Sequence, residues 1–368
     1  MIRAQRIFAV LQKEFMQLRR DRLTFGMIVM IPLIQLLLFG YAINTDVRNI
    51  PVAIVDMSDS AVGRIITETI KATQVVDVTQ YYSTPSEAEQ AIVQGKVRAA
   101  LVLPANLTQR IVSGDVLGQW IVDGSDTMVS AAMLQLQSLP LDQVIIDPQL
   151  DFSARKNTFS VTLYFNPERR AAINIVPGLI GVILTMTMIL FTSAAIVRER
   201  ERGNLELLIT TPIKPVELMI GKIVPYIFVG FVQVVIVLGL GHLVFGVPIN
   251  GGLFDIFIVT FLFIAASLTL GLIISTVAQT QLQAMQMTVF VLLPSILLSG
   301  FMFPYEAMPQ AAQYFAEVLP ATHFMRLIRA VVLKGAEFHS LVFDSLWLAA
   351  FTVLGLFVAS IRFSKKLD

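Results

Sequence analysis

The chain has 368 residues, of which 55% are hydrophobic and only 14% charged, with a mean hydropathy of +0.74. A soluble globular protein carries roughly a quarter charged residues, so this composition excludes an ordinary soluble domain and indicates an integral membrane protein. A net charge of +1 argues against a nucleic-acid partner, and the absence of cysteine excludes disulfides, thiolate metal sites and a cysteine nucleophile.

Residues 1–22 are basic, with Arg3, Arg6, Lys13, Arg19, Arg20 and Arg22. Ile7, Leu11, Phe15 and Leu18 share one helical face, which predicts an interfacial amphipathic helix on the cytoplasmic side. The same helix suits a cytoplasmic partner equally well. Leu23 to Ala42 is a charge-free run of 20 residues, enough for one crossing and too long for a cleaved signal peptide. We read residues 23–43 as an uncleaved signal-anchor span with the N-terminus inside.

Residues 44–170 read as an α/β domain lying outside the cytoplasm. Strands are expected at Pro51–Asp56, Val75–Tyr81, Arg98–Leu103, Leu117–Val122 and Thr158–Phe165. Helices are expected at Ala61–Ala72, Ser86–Gln94, before Ser113, and from Met128 to about Val144. The alternation implies a largely parallel sheet. Asp56, Asp59, Asp123 and Asp126 stand at strand ends, where open sheets place ligands, but such aspartates commonly cap and turn the chain. With no nucleophile elbow and no glycine fingerprint, binding or docking is preferred to catalysis.

Residues 171–368 hold the remaining spans. Ala171 to Val197 is charge-free and long enough to cross, with Pro177-Gly178 as a candidate kink. A charged knot follows, Arg198-Glu199-Arg200-Glu201-Arg202-Gly203-Asn204-Leu205-Glu206-Leu207-Leu208. Its positive excess puts it in the cytoplasm. Gly203 can break one helix and Asn204 cap the next, leaving Leu205, Leu207 and Leu208 as an apolar surface for a soluble subunit. A plain polar loop obeying topology explains the same residues. The third span covers Ile223 to Phe245. From Ile256 to Tyr305 no residue is charged, and these fifty residues require two helices with an inner turn near Gln279–Gln283.

Residues 303–333 are apolar but punctuated by Pro304, Pro309 and Pro320, with Glu306, Glu317, Arg326 and Arg329 entering. Short helices dipping into the membrane, with Pro304 and Pro320 ending them, suit this stretch better than a spanning helix. Pro304, Pro309, Pro320, Thr322, Arg326 and Arg329 are candidate gate residues. Leu341 to Ile361 forms the last span, followed by Arg362, Lys365 and Lys366. The expected fold is therefore an α-helical integral membrane protein of six transmembrane helices, both termini cytoplasmic. It carries a re-entrant segment before the last helix and an external α/β domain inserted between helices 1 and 2.

The chain offers no energy source of its own. Its Gly-Lys pairs, Gly95-Lys96 and Gly221-Lys222, do not complete a Walker A loop. The spans lack central acidic residues of the kind proton or sodium carriers use. His242, His323 and His339 have no ligand spacing, so neither metal nor cofactor is expected. A separate ATPase docking on the knot would supply the energy. A secondary transporter, with His242 or Asp344 as its ionisable group, and a non-transporting envelope receptor or scaffold are the alternatives.

Glu199-Arg200-Glu201-Arg202-Gly203-Asn204-Leu205-Glu206 resembles the Glu-x-Glu-Arg-Gly-Thr-Leu-Glu signature of type-2 ABC transporter permeases, with Asn204 in place of Thr. Phe303-Pro304, Met308-Pro309 and Leu319-Pro320-Ala321-Thr322-His323-Phe324 resemble the re-entrant region of that family. The large external insert resembles its bacterial drug-efflux branch, found in Gram-negative inner membranes. The resemblance implies a non-enzymatic half-transporter that pairs with an identical or paralogous half and with ABC ATPase subunits. It implies a coupling helix near residues 199–210, carried by Glu199, Glu201, Arg202, Gly203, Asn204, Leu205, Glu206 and Leu208. It also implies a substrate path along spans two and five, near Met186, Met188, Phe290 and Leu293, and an external domain suited to a periplasmic adaptor.

Overall fold

The computed structural model describes residues 47–139, 158–168, 170–201 and 215–362, with backbone alone over 215–224. The expected helix of residues 1–22, the first span at 23–43, and Arg202, Gly203, Asn204, Leu205, Glu206 and Leu208 lie outside the described residues.

The first folded unit is a five-stranded sheet. Its strands are β1 (Ile50–Asp56), β2 (Val76–Tyr81), β3 (Ala99–Leu103), β4 (Gly118–Asp123) and β5 (Phe159–Tyr164), in spatial order β2-β1-β3-β4-β5. Four helices connect them: α1 (Ala61–Ala72), α2 (Pro85–Val93), α3 (Leu107–Ser113) and α4 (Thr127–Gln135). Every pairing is parallel except β3 with β4. Side chains alternate across each strand. Val52 and Ile54 of β1 join Leu101, Trp120, Ile66 and Ile70 on one face. Ala53 and Val55 join Ala88, Ala91 and Ile92 of α2 on the other. Sequence chemistry fixes the helix starts. Thr84 and Glu87 form a reciprocal capping box with Pro85 in the first turn of α2, and Asp126 caps α4 by accepting from the Met128 and Val129 amides. One expectation is corrected here: α4 stops at Gln135 rather than running to Val144, the chain turning over Leu136 and Gln137 instead.

The second unit is helical: α5 (Ala171–Glu201), α6 (Pro215–Phe245), α7 (Leu253–Val277), α8 (Gln281–Leu298), α9 (Gln310–Val318), α10 (Pro320–Lys334) and α11 (Val342–Arg362). Among the described residues, five of these helices are long and apolar enough to cross a bilayer: α5, α6 from Pro225, α7, α8 and α11. The protein is thus a multi-pass membrane protein with an α/β sheet region towards its N-terminus. α5 and α7 are mostly enclosed by protein. α6 and α11 turn most of their apolar surface outward, including Phe228, Leu243, Leu354 and Phe357.

α5 and α7 approach closely because Gly271 carries no side chain. A Cβ there would lie 2.8 Å from Thr192 Cβ and 2.9 Å from the Ile189 carbonyl oxygen. α10 lies at the centre, with every residue except Arg326 buried. Phe324 stacks on Phe263 of α7 with ring centroids 4.0 Å apart. Pro320 follows directly on Leu319, the cap that closes α9, and also starts α10, whereas Pro304 stands well beyond the end of α8 and starts the short 3-10 turn Tyr305–Ala307, which corrects the expectation that Pro304 ends a helix. Proline lacks an N–H, and the first helical turn has no use for one. Gly335, at φ +68°, closes α10 in the left-handed conformation.

Candidate functional site

Three parts of the chain converge where the sheet meets α10. Arg98 enters β3, Asp123 ends β4, and Asp126 caps α4. From the helical unit come Lys334 and Arg329 of α10 and Glu306 of the 3-10 turn. Asp123 is fully buried and receives Lys334 Nζ at 2.6 Å and Arg98 Nη1 at 2.9 Å. Its other oxygen accepts from the Ser125 amide at 3.1 Å and hydroxyl at 2.6 Å. Arg98 Nε also donates to Glu306 at 2.8 Å. Asp126 lies 3.7 Å from Arg98 and 3.8 Å from Arg329. Lys334 further donates to the Ile92 carbonyl at 3.2 Å, and Arg329 donates to Asn174 of α5 at 2.6 Å.

Charges this deep survive only when paired, because desolvation of an isolated ion costs several kcal/mol. Burial alone would push the Asp123 carboxyl up, but Lys334 and Arg98 hold it well below the usual carboxylate range. Burial likewise opposes the Arg98 charge, and Glu306, Asp123 and Asp126 outweigh it, raising its pKa.

A second knot adjoins the first. Arg326 donates to both oxygens of Glu317, lies 3.5 Å from Asp344 and stands over the Tyr305 ring at 4.7 Å. His323, fully enclosed, meets Asp344 at 2.6 Å and the Glu317 carbonyl at 2.9 Å, and it stacks on Trp347 with centroids 4.1 Å apart. Between the knots lies a cavity of about 150 Å³ lined by Arg98, Glu306, Thr322, Arg326, Arg329 and Lys334, among others. Among the described residues, no group of three or more metal-ligating side chains could hold a metal ion.

The structure thus brings Thr322, Arg326 and Arg329 of the expected gate to one cavity. Pro304, Pro309 and Pro320 start the elements around it. Of the expected substrate path, Met188 is fully buried in the helical core, Phe290 and Leu293 are half-buried on α8, and Met186 is exposed. Sequence reasoning missed Arg98 and Lys334 as site residues. Their partners lie 208 and 211 residues away, and no local pattern announces such pairs.

The far end of α5 carries the described part of the charged knot. Gln281, the first residue of α8, donates from its amide N–H to Glu201 at 2.9 Å and from its side chain to the same carboxylate. Arg200 donates to the Ala278 carbonyl at 2.9 Å, and Arg198 to Gln281 Oε1 at 3.2 Å. Glu199 is half-buried beside them. The end of α5 is therefore tied to the turn between α7 and α8.

The model of the ABC-2 family transporter protein matches residues 22–361. Similar chains include the probable multidrug ABC transporter permease YbhS of Escherichia coli, 29% identical over 99% of this chain and 98% of its own length. The probable multidrug ABC transporter permease YbhR of the same organism is 28% identical over 93% of each chain. ABC transporter G family member 20 of Dictyostelium discoideum is 24% identical over 97% of this chain, which spans half of that protein. A single family model running from the start of the first apolar run to the last described helix leaves little of the chain unaccounted for, and the chain belongs to the ABC-2 family of transporter proteins.

Proposed function

We propose that this chain is the membrane half of an ATP-driven exporter that moves amphipathic compounds, drugs or xenobiotics among them, out across a bacterial inner membrane. Residues 23–43 supply a sixth span, both termini are cytoplasmic, and the sheet unit is periplasmic. Two such halves pair, an ABC ATPase supplies the energy, and a periplasmic adaptor docks on the sheet unit. Residues 303–333 form a re-entrant outer gate. Met186, Phe290 and Leu293 face the path.

One observation carries the reading. α5 is an unbroken helix of 31 residues, about 46 Å long at 1.5 Å per residue. Its Glu201 end is bonded to the α7–α8 turn beside the charged knot, and its Ala171 end is bonded through Asn174 to Arg329 in the buried ion cluster. One helix therefore joins the proposed ATPase dock to the proposed gate, continuous in its backbone although Pro177 within it lacks the N–H of one helical hydrogen bond. The names of the Escherichia coli relatives support drugs as cargo.

In this reading Asn204 caps the coupling helix, and Leu205 and Leu208 fill the apolar part of an ATPase socket. Glu199, Glu201, Arg202 and Glu206 hold its orientation around the Gly203 break. Leu205→Asp should abolish co-purification of the ATPase and export while leaving membrane insertion normal, since it buries an unpaired charge at an interface. Asn204→Ala should weaken coupling by about 1 kcal/mol. Full ATPase binding and full export in Leu205→Asp would make the knot a solvated loop and sink the proposal.

A further inference from the structure

The cavity between the two ion knots holds open valences. Three buried polar atoms without a hydrogen-bond partner, Glu306 Oε2, Thr322 Oγ1 and Arg329 Nε, all belong to residues that line it. Thr322 and Arg329 are 1% and 6% exposed. Native interiors rarely leave such atoms unsatisfied, and each unmade bond costs on the order of 1–3 kcal/mol. Two of the three are of opposite kind. The guanidinium N–H seeks an acceptor, the carboxylate oxygen seeks a donor, and the hydroxyl serves either.

Charge balance narrows the ligand. Arg98, Arg326, Arg329 and Lys334 already face Asp123, Asp126, Glu306, Glu317 and Asp344, so the walls are close to neutral. A bare anion or a bare cation would upset a buried, paired cluster, whereas a group carrying both signs would not. The volume suits a headgroup and is several times what one water requires.

Ser299 and Met325 line this cavity and also a second crevice, formed by Gly181, Val182, Thr185, Leu292, Ser295 and Ile296 between α5 and α8. That crevice is almost wholly apolar and closed to anything as wide as water, so a hydrocarbon chain enters it only when the flexible Met325 side chain, the shared wall, swings aside. A polar chamber separated from an apolar seam by one flexible side chain matches a molecule with a polar head and a hydrocarbon chain.

We propose that this cavity binds the headgroup of a zwitterionic amphiphile, an oxyanion and a protonated amine a few bonds apart on an acyl chain, as in an aminophospholipid. The oxyanion accepts from Arg329 Nε and Thr322, and the ammonium donates to Glu306. The inference rests on the reading above only for the leaflet that supplies the lipid.

The test uses the full-length chain purified in non-ionic detergent without the ATPase, so failure of the coupling reading leaves it untouched. Phosphatidylethanolamine, phosphatidylglycerol with the same acyl chains, and soluble phosphoethanolamine are titrated by native mass spectrometry. Phosphatidylethanolamine should fill one saturable site roughly tenfold more tightly than phosphatidylglycerol. Thr322→Val and Glu306→Gln should each weaken it about fivefold to tenfold, the loss of one hydrogen bond. Glu306→Gln retains an acceptor for Arg98, and Thr322→Val keeps the shape, so both should fold. Equal affinity for the two lipids, or unchanged binding in both variants, would mean that water fills the cavity and overturn the proposal. Displacement of the lipid by phosphoethanolamine at matching concentration would overturn the lipid assignment in favour of a soluble zwitterion.

Discussion

The two ends of α5 are fastened by different chemistry. At Glu201 the bonds to Gln281 are exposed and compete with water. At Asn174 the bond runs to Arg329, and from there into a cluster whose members are nearly all sealed from solvent. Exposed polar links are worth about 1 kcal/mol or less and rearrange readily. Buried charge networks are stiff, because any partial rearrangement strands a charge. The comparison teaches a division of labour along one helix: a yielding joint beside the charged knot, and a rigid one under the sheet.

Removing a rigid partner should have the largest effect. Lys334→Ala leaves the Asp123 charge short of one of its two cations, and breaking a buried pair in this way costs about 3–5 kcal/mol. A drop in thermal stability, read together with faster proteolysis of the 47–139 segment, would confirm it. A loss below about 1 kcal/mol would break the contrast between the ends. Lys334→Met combined with Asp123→Asn should recover much of the loss.

Acid gives the next effect. The folded pKa of Asp123 is depressed, so its contribution is fully present above the unfolded carboxylate value of about 3.9 and is lost as pH falls through the lower folded value. Melting temperature should therefore be insensitive to this group from neutral pH down to about 4 and should fall below that. In Asp123→Asn the acid-side fall should be shallower. An identical profile in the variant would remove Asp123 from the account.

The smallest effect on stability should come from the yielding end. Gln281→Ala deletes the side-chain bond to Glu201 and should cost less than about 1 kcal/mol. If α5 transmits motion, the same substitution should lower transport per ATP hydrolysed in the reconstituted complex. Unchanged coupling would sharpen the comparison by confining transmission to the segment beyond Glu201.

Much of this architecture was legible in residue order. The alternation of Val52, Ala53, Ile54 and Val55 announces a strand with two covered faces. The uncharged stretches after Ala171 and before Tyr305 announce crossings by length alone. Position within an element was harder to read. Pro215, Pro304 and Pro320 look like breakers in a string of letters, yet each stands at a helix start. Least legible was the ion cluster. Asp123 and Asp126 read as turn and cap residues, and so they are, but Asp123 has a second oxygen that local rules never mention. Arg329 reads as a gate residue from its place among the prolines, whereas Lys334, five residues further on, carries no local signal. Only the packing of α10 against the sheet reveals its partner.

The order in which a ribosome delivers these residues matters. Asp123 and Arg98 emerge early and can meet at once, whereas Lys334 follows Asp123 by 211 residues. Until it arrives, the underside of the sheet carries a carboxylate designed for a second cation, next to surface that the helices have yet to cover. Domains generally fold as they emerge, and such half-finished surfaces are where chaperones and proteases act. Docking of α10 completes the cluster, since a chain whose α10 has not reached the sheet has no ammonium to pair with Asp123.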